Sequence, residues 1–208
     1  MLNVEKTVLV LLAAGRSERF GDIGSKLDQN FLGRPLGIHV AVALESMPFM
    51  DRVAIVDRAS LDYGRHGFRS IRNEEAALGM ASSVGLGVDH AEAYGADAVL
   101  IALADMPRVT AAHIYRMFDA SEDAMSVVAS SDGRDAKPPA LFGRGHFTCL
   151  KGLSGEAGAR DLVQAGRHVV TAPTELIDVD TPDELERLRA LVHSPEAITR
   201  AEARLVGR

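Results

Sequence analysis

The chain has 208 residues, 47% apolar and 25% charged, with 23 basic against 29 acidic side chains for a net charge of −6. That length suits one domain with a sizeable core, and the balance of apolar and charged residues excludes wholesale disorder. So acidic a chain is a poor general binder of nucleic acid, which is held by neutralising its phosphates, and a single cysteine, Cys149, excludes an internal disulfide and a Cys-x-x-Cys zinc site.

In chain order, Val8 to Leu12 is a continuous β-prone apolar run, as in a central parallel strand buried on both faces. No apolar run is long enough to span a bilayer, and Thr7 to Ala14 leads into a Gly/Arg loop instead of a cleavage site, so it reads as a strand and not a signal peptide; the lone cysteine makes a reducing cytoplasm the expected setting. Leu36, Val40, Ala43, Leu44 and Met47 fall at helical spacing between Pro35 and Pro48. Arg52 to Val56 reads as a second strand, and Phe68 to Ile71 as a short one within a polar stretch. Gly79 to Tyr94 is predicted helical, with Gly95 as its stop. Ala98 to Ala104 is a further strand, and Thr110 caps a helix through Phe118. Met125 to Ala129 is predicted as a strand, Ser130 to Pro139 as a polar loop, and His146 to Leu150 as a short helix. Gly158 to Ala165 follows as a helix, then strands at Val169 to Ala172 and Leu176 to Val179. Thr181, Pro182 and Glu184 spell a helix start, with the cap, the first-turn proline and the acid three residues after the cap. That helix is expected to reach about Val192, and Ser194-Pro195 to restart a last one. The pattern implies one α/β domain over residues 1–193, with a mostly parallel sheet flanked by helices, and a helical tail over 194–208.

Ligands of such sheets sit at the carboxyl ends of the strands. The loop after the first strand holds Ala13, Ala14, Gly15, Arg16, Ser17, Arg19 and, further on, Lys26. Glycines let backbone N–H groups approach an anion, and three cations in an acidic chain suit a polyphosphate. Charge and glycine alone also describe a solvated basic turn, and neither a Walker A loop nor GxGxxG is present. Asp105 ends its strand facing the same crevice, where magnesium takes a few carboxylates together with phosphate oxygens. Asp178 and Asp180 flank Val179 at the end of the expected last strand; Asp180, nearest the strand end, is the one expected to face the crevice. Asn73 and the run Gly79-Met80-Ala81-Ser82-Ser83 lead into a helix N-terminus suited to a base edge or an anion. Pro138 to Phe142 is a candidate pocket wall, and Gly155 to Arg160 a candidate anion contact. The seven histidines match no metal-binding spacing, and Cys149 is expected to be a small buried hydrophobe.

Together, Leu12-Ala13-Ala14-Gly15-Arg16-Ser17-Glu18-Arg19-Phe20-Gly21 with Lys26, Gly79 to Ser83, Leu103-Ala104-Asp105-Met106-Pro107, Pro139 to Phe142, Leu153 to Arg160 and Asp178 to Leu185 resemble the molybdenum cofactor nucleotidyltransferases, and the cytidylyltransferases in particular. The resemblance implies a Rossmann-like, magnesium-dependent enzyme that transfers CMP from CTP to a phosphorylated pterin acceptor, with a molybdenum hydroxylase as a possible client. It implies catalytic roles for Arg19, Lys26 and Asp105. Ala13, Ala14, Gly15, Arg16, Ser17, Arg19, Lys26, Asn73, Gly79, Ser83 and Asp105 would bind the nucleotide, and Asp105 with Asp180 the metal. The Ala13-Ala14-Gly15 form of the loop resembles that of the cytidylyl branch. The chain departs from the family pattern at Lys137-Pro138-Pro139 on the pterin side, at Glu156, and in the four residues between Gly21 and Lys26. The same fold with GTP or another phosphorylated acceptor, or a non-catalytic cofactor carrier, are the alternatives.

Overall fold

The computed structural model describes residues 1–15, 20, 24–57, 61–155 and 159–193. Its described elements are β1 (Thr7–Ala13), β2 (Asn30–Phe31), β3 (Arg34–Pro35), α1 (His39–Leu44), β4 (Asp51–Val56), β5 (Arg69–Arg72), α2 (Met80–Ala93), β6 (Ala98–Leu103), α3 (Ala111–Asp119), β7 (Val127–Ser131), β8 (Ala136–Gly143), α4 (Phe147–Lys151), α5 (Arg160–Ala165), β9 (Arg167–Val170) and α6 (Pro182–His193). A seven-stranded sheet runs β5-β4-β1-β6-β8-β7-β9, and β2 and β3 form a small hairpin of their own. β1 is parallel to β4 and β6, β4 to β5, and β7 to β9; β8 is antiparallel to both of its neighbours. The expected mostly parallel α/β domain is what forms, and no described helix is long and apolar enough to cross a membrane.

The apolar run of β1 explains the layers. Successive side chains of a strand point to opposite faces, so Leu9 and Leu11 enter the core shared with α1 and α3, among Leu44, Ile114 and Met117. Val8, Val10 and Leu12 enter the opposite core, with Val84 and Val88 of α2 and Phe147 and Leu150 of α4. A third, smaller cluster joins Phe31 and Leu36 to Val179, Leu185 and Leu188 and seats α6.

Several sequence expectations need correcting. The helix expected between Pro35 and Met47 is a 3-10 turn at Leu36–Ile38 followed by the short α1. Ser130 to Pro139 is not a loop throughout: β7 and β8 form a hairpin, and only residues 132–135 turn. That turn is made by Asp132, whose Oδ1 accepts from the N–H groups of Arg134 and Asp135, both at 2.9 Å. Leu176 to Val179 is not a strand. Pro173–Leu176 is a 3-10 turn, and Leu176 and Val179 are buried without joining the sheet. The apolar character of this segment reflects burial alone. Cys149 is exposed, not buried. The expected helix after Ser194 lies outside the described residues.

Candidate active site

Ala13 closes β1 and Ala14 is buried just beyond it, so Gly15 emerges exposed at the carboxyl edge of the sheet. Arg16, Ser17 and Arg19 lie outside the described residues. The chain returns at Ser25, whose hydroxyl accepts from the N–H of Leu27 and starts the 3-10 turn Lys26–Asp28. This turn aims Lys26 inward, with its side chain 10% exposed.

Lys26 brings two acids together. Its Nζ lies 2.6 Å from Asp105 Oδ2 and 2.7 Å from Asp180 Oδ1. Asp105 is set by backbone: the Ala104 N–H donates to the carbonyl of Leu12 at 3.0 Å, tying the residue before it to the end of β1. The Asp105 carbonyl accepts from the N–H of Val179 at 3.0 Å, which draws the incoming segment to the site. The start of α6 then fixes Asp180. Glu184 Oε2 accepts from the N–H groups of Asp180 and Thr181, both at 2.8 Å, and Thr181 Oγ1 accepts from Glu184 N–H at 3.3 Å. This is the reciprocal cap expected from the sequence. Asp178 is exposed.

Burial pushes the Asp105 carboxyl up from the ordinary carboxylate range, while Lys26 pulls it back. Burial also works against the Lys26 ammonium, but Asp105 and Asp180 together hold it above the ordinary lysine value. Asp105 Oδ1 is buried with no hydrogen-bond partner among the described residues. An unsatisfied buried carboxylate oxygen is costly, and beside a second carboxylate it is the hard-oxygen donor set that suits magnesium.

Asn73, Gly79 and Ser83 form a frame at the other end of the same sheet edge. The Asn73 N–H donates to Val56 O at 2.7 Å, beyond the β4–β5 ladder. Its Nδ2 donates to Ser82 Oγ at 2.9 Å and Ser83 Oγ at 2.8 Å, and its Oδ1 accepts from Glu75 N–H at 2.9 Å. Gly79 precedes α2 with φ of 101°, a conformation that favours glycine. The end of β5 is thereby locked to the start of α2. Gly155 has φ of 72° and its carbonyl accepts from Ala81 N–H at 3.3 Å; Glu156 lies outside the described residues.

Tyr63 went unrecognised in the sequence. It is buried beneath the turn carrying Lys26, and its hydroxyl has no hydrogen-bond partner among the described residues. Burial raises its pKa, with the charges of Asp28 and Asp105 adding to the effect. A side chain at Gly37 would collide here, since an added Cβ would stand 3.0 Å from this hydroxyl and 2.9 Å from Leu61 Cδ1. No sequence motif marks Tyr63; only the packing beneath Leu27 and Gly37 does.

Comparison with known proteins shows the family and the fold. Residues 9–171 match the family described as MobA-like NTP transferase domain. The purine catabolism protein PucB of Bacillus subtilis (strain 168) is 33% identical over 199 residues, covering 86% of this chain and 94% of that protein. Among solved structures, a homologue of Mycobacterium tuberculosis Rv0371c from Mycobacterium sp. strain JC1 has a TM-score of 0.75 at 24% identity, covering 93% of this chain and 100% of that one. A nucleotidyl transferase from Methanothermobacter has a TM-score of 0.70 at 20% identity, covering 88% and 95%. Both share the Rossmann-like fold.

Proposed function

The chain belongs to the MobA-like NTP transferase family and is a nucleotidyltransferase, and from that premise we propose that it transfers CMP from CTP to the terminal phosphate of molybdopterin, releasing pyrophosphate. The observation that carries this reading is the contact of Lys26 with Asp105 and Asp180 at the sheet edge where Gly15 emerges. One cation and two acids from three distant parts of the chain meet where a nucleotide tail would lie. Ala14-Gly15, in the form of the cytidylyl branch, supports CTP as donor.

An acceptor phosphate oxygen attacks the α-phosphorus in line. The new P–O bond forms as the bond to the bridging oxygen breaks, and that electron pair leaves with pyrophosphate. Two anions must approach, so positioning and charge neutralisation dominate over proton transfer. Backbone at Ala13, Ala14 and Gly15, with Arg16 and Ser17, would cradle the triphosphate. Arg19 and Lys26 would take up charge on the leaving pyrophosphate, and the frame of Asn73, Gly79 and Ser83 would face the base. Asp105 and Asp180 would hold Mg2+, which neutralises phosphate oxygens when bound. The product would serve a molybdenum hydroxylase.

The test is pyrophosphate release from CTP, GTP, UTP and ATP, each with molybdopterin or a sugar phosphate, with and without Mg2+. CTP with molybdopterin is expected to react, and only with the metal. Release from GTP alone, or only with a sugar phosphate, would reassign the substrates. Tight pterin binding without any release would make the protein a carrier.

A further inference from the structure

Among the fully buried polar side chains that the mechanism leaves unused are His113 on α3 and Ser130 on β7, each 0% exposed. Polar groups are rarely buried unless bonded, and these two are bonded in a line with forced directions. Ser130 Oγ lies 2.8 Å from the carbonyl of Pro139, which can only accept, so the hydroxyl proton goes there. His113 Nε2 lies 2.7 Å from the same Oγ and must therefore donate to it. Arg116, which can only donate, reaches His113 Nδ1 at 3.1 Å. The imidazole is thus neutral, with its proton on Nε2, and burial followed by the Arg116 charge holds its pKa below the ordinary histidine value. Arg116 is itself anchored to Thr171 Oγ1 at 3.0 Å and to the carbonyl of Val170 at 3.2 Å.

The line ends at a break in the sheet. Between β7 and β8, Ala129 pairs with Ala140 but Ser130 pairs with Lys137, so Pro138 and Pro139 fall inside the shift of register. Prolines have no N–H for the ladder, and the Ser130 hydroxyl takes the Pro139 carbonyl instead. Bulges of this kind re-aim residues beside active sites. This one is well placed for that. β8 is antiparallel to β6, with Ala140 opposite Ile101. The residues before Ala140 therefore lie at the edge reached by the residues after Ile101, among them Asp105. They also lie on the far side of β6 from β1 and its loop.

We infer that Ser130, oriented by His113, is a positioning residue that sets the Pro138–Pro139 wall of the acceptor subsite, whose apolar surface suits a phosphorylated heteroaromatic ring. The inference rests on the reading that a phosphorylated acceptor binds beyond Asp105. It predicts that acceptor recognition and nucleotide binding respond separately.

The experiment compares Ser130→Ala, Ser130→Cys and Ser130→Thr with the unaltered protein, each verified as folded by circular dichroism. Kinetics are run with molybdopterin, or with whichever phosphorylated compound of the panel above turns over fastest. Ser130→Ala and the volume-preserving Ser130→Cys are expected to raise the acceptor KM about tenfold, with kcat and the CTP KM within about twofold. Ser130→Thr, which keeps the hydroxyl, is expected to restore the acceptor KM. An unchanged acceptor KM, or equal changes in both KM values, overturns the inference. Turnover with a different acceptor overturns the pterin assignment alone, because the Ser130 effect is then read on that acceptor.

Discussion

Asp105 shows how much one atom can carry. Its Oδ2 is taken by Lys26, while its Oδ1 is buried and unsatisfied among the described residues. Asp105→Asn keeps the shape and removes the charge. We expect pyrophosphate release to fall at least about 100-fold, while thermal unfolding stays cooperative; a normal rate in the Asp105→Asn variant would dismiss this carboxylate from the reaction. Asp105 was legible in the sequence because an acid directly after an apolar run marks the end of a parallel strand. Lys26 was legible as a cation of the Gly-rich loop in an acidic chain, and Asp180 as an acid between an apolar run and a helix cap. Tyr63, His113 and Ser130 were not. Their importance lies in what they touch: Ser130 meets a histidine 17 residues earlier and a carbonyl nine residues later, and neither spacing belongs to a local motif.

At the scale of elements, caps and apolar periodicity read well, because both act within a few residues. Thr181 and Glu184 predicted the start of α6, and Thr110 predicted that of α3, where its hydroxyl accepts from His113 N–H. What failed was any element decided by a neighbour. Leu176 to Val179 has the apolar character of a strand but lies off the sheet, and Ser130 to Pro139 has the polarity of a loop but pairs across a hairpin. Two glycines of α2 make the role of the neighbour measurable. A Cβ added at Gly85 meets nothing within 4 Å, whereas one at Gly87 would stand 2.3 Å from Cγ1 of the fully buried Val10 in β1. Gly85→Ala is therefore expected to stabilise the protein by roughly 0.5–1 kcal/mol. Gly87→Ala is expected to destabilise it by about 1–3 kcal/mol. Urea unfolding would check both, and equal shifts for the two would refute the packing of α2 on β1.

For the whole molecule, the sequence conveyed the layers but not the strand order. Nothing in a linear pattern says that β8 inserts between β6 and β7 against their direction. That insertion divides the edge that carries the candidate site, with Gly15 beyond β1 on one side of Asp105 and the proline bulge on the other. The site also extends past the family match, which ends at residue 171, since Asp180 and its cap follow it. Removal of residues 194–208 is expected to leave pyrophosphate release within about twofold, because the contacts that fix Asp180 are made by residues up to Leu188. A larger loss would assign those residues to the working domain.

Asp105 and Asp180 stand 79 and 154 positions from the lysine that joins them. A ribosome that has synthesised the chain only through α5 has delivered the ammonium and the first acid but not the second. On the proposed assignment, the trio is assembled only after the residues as far as Asp180 have left the ribosome.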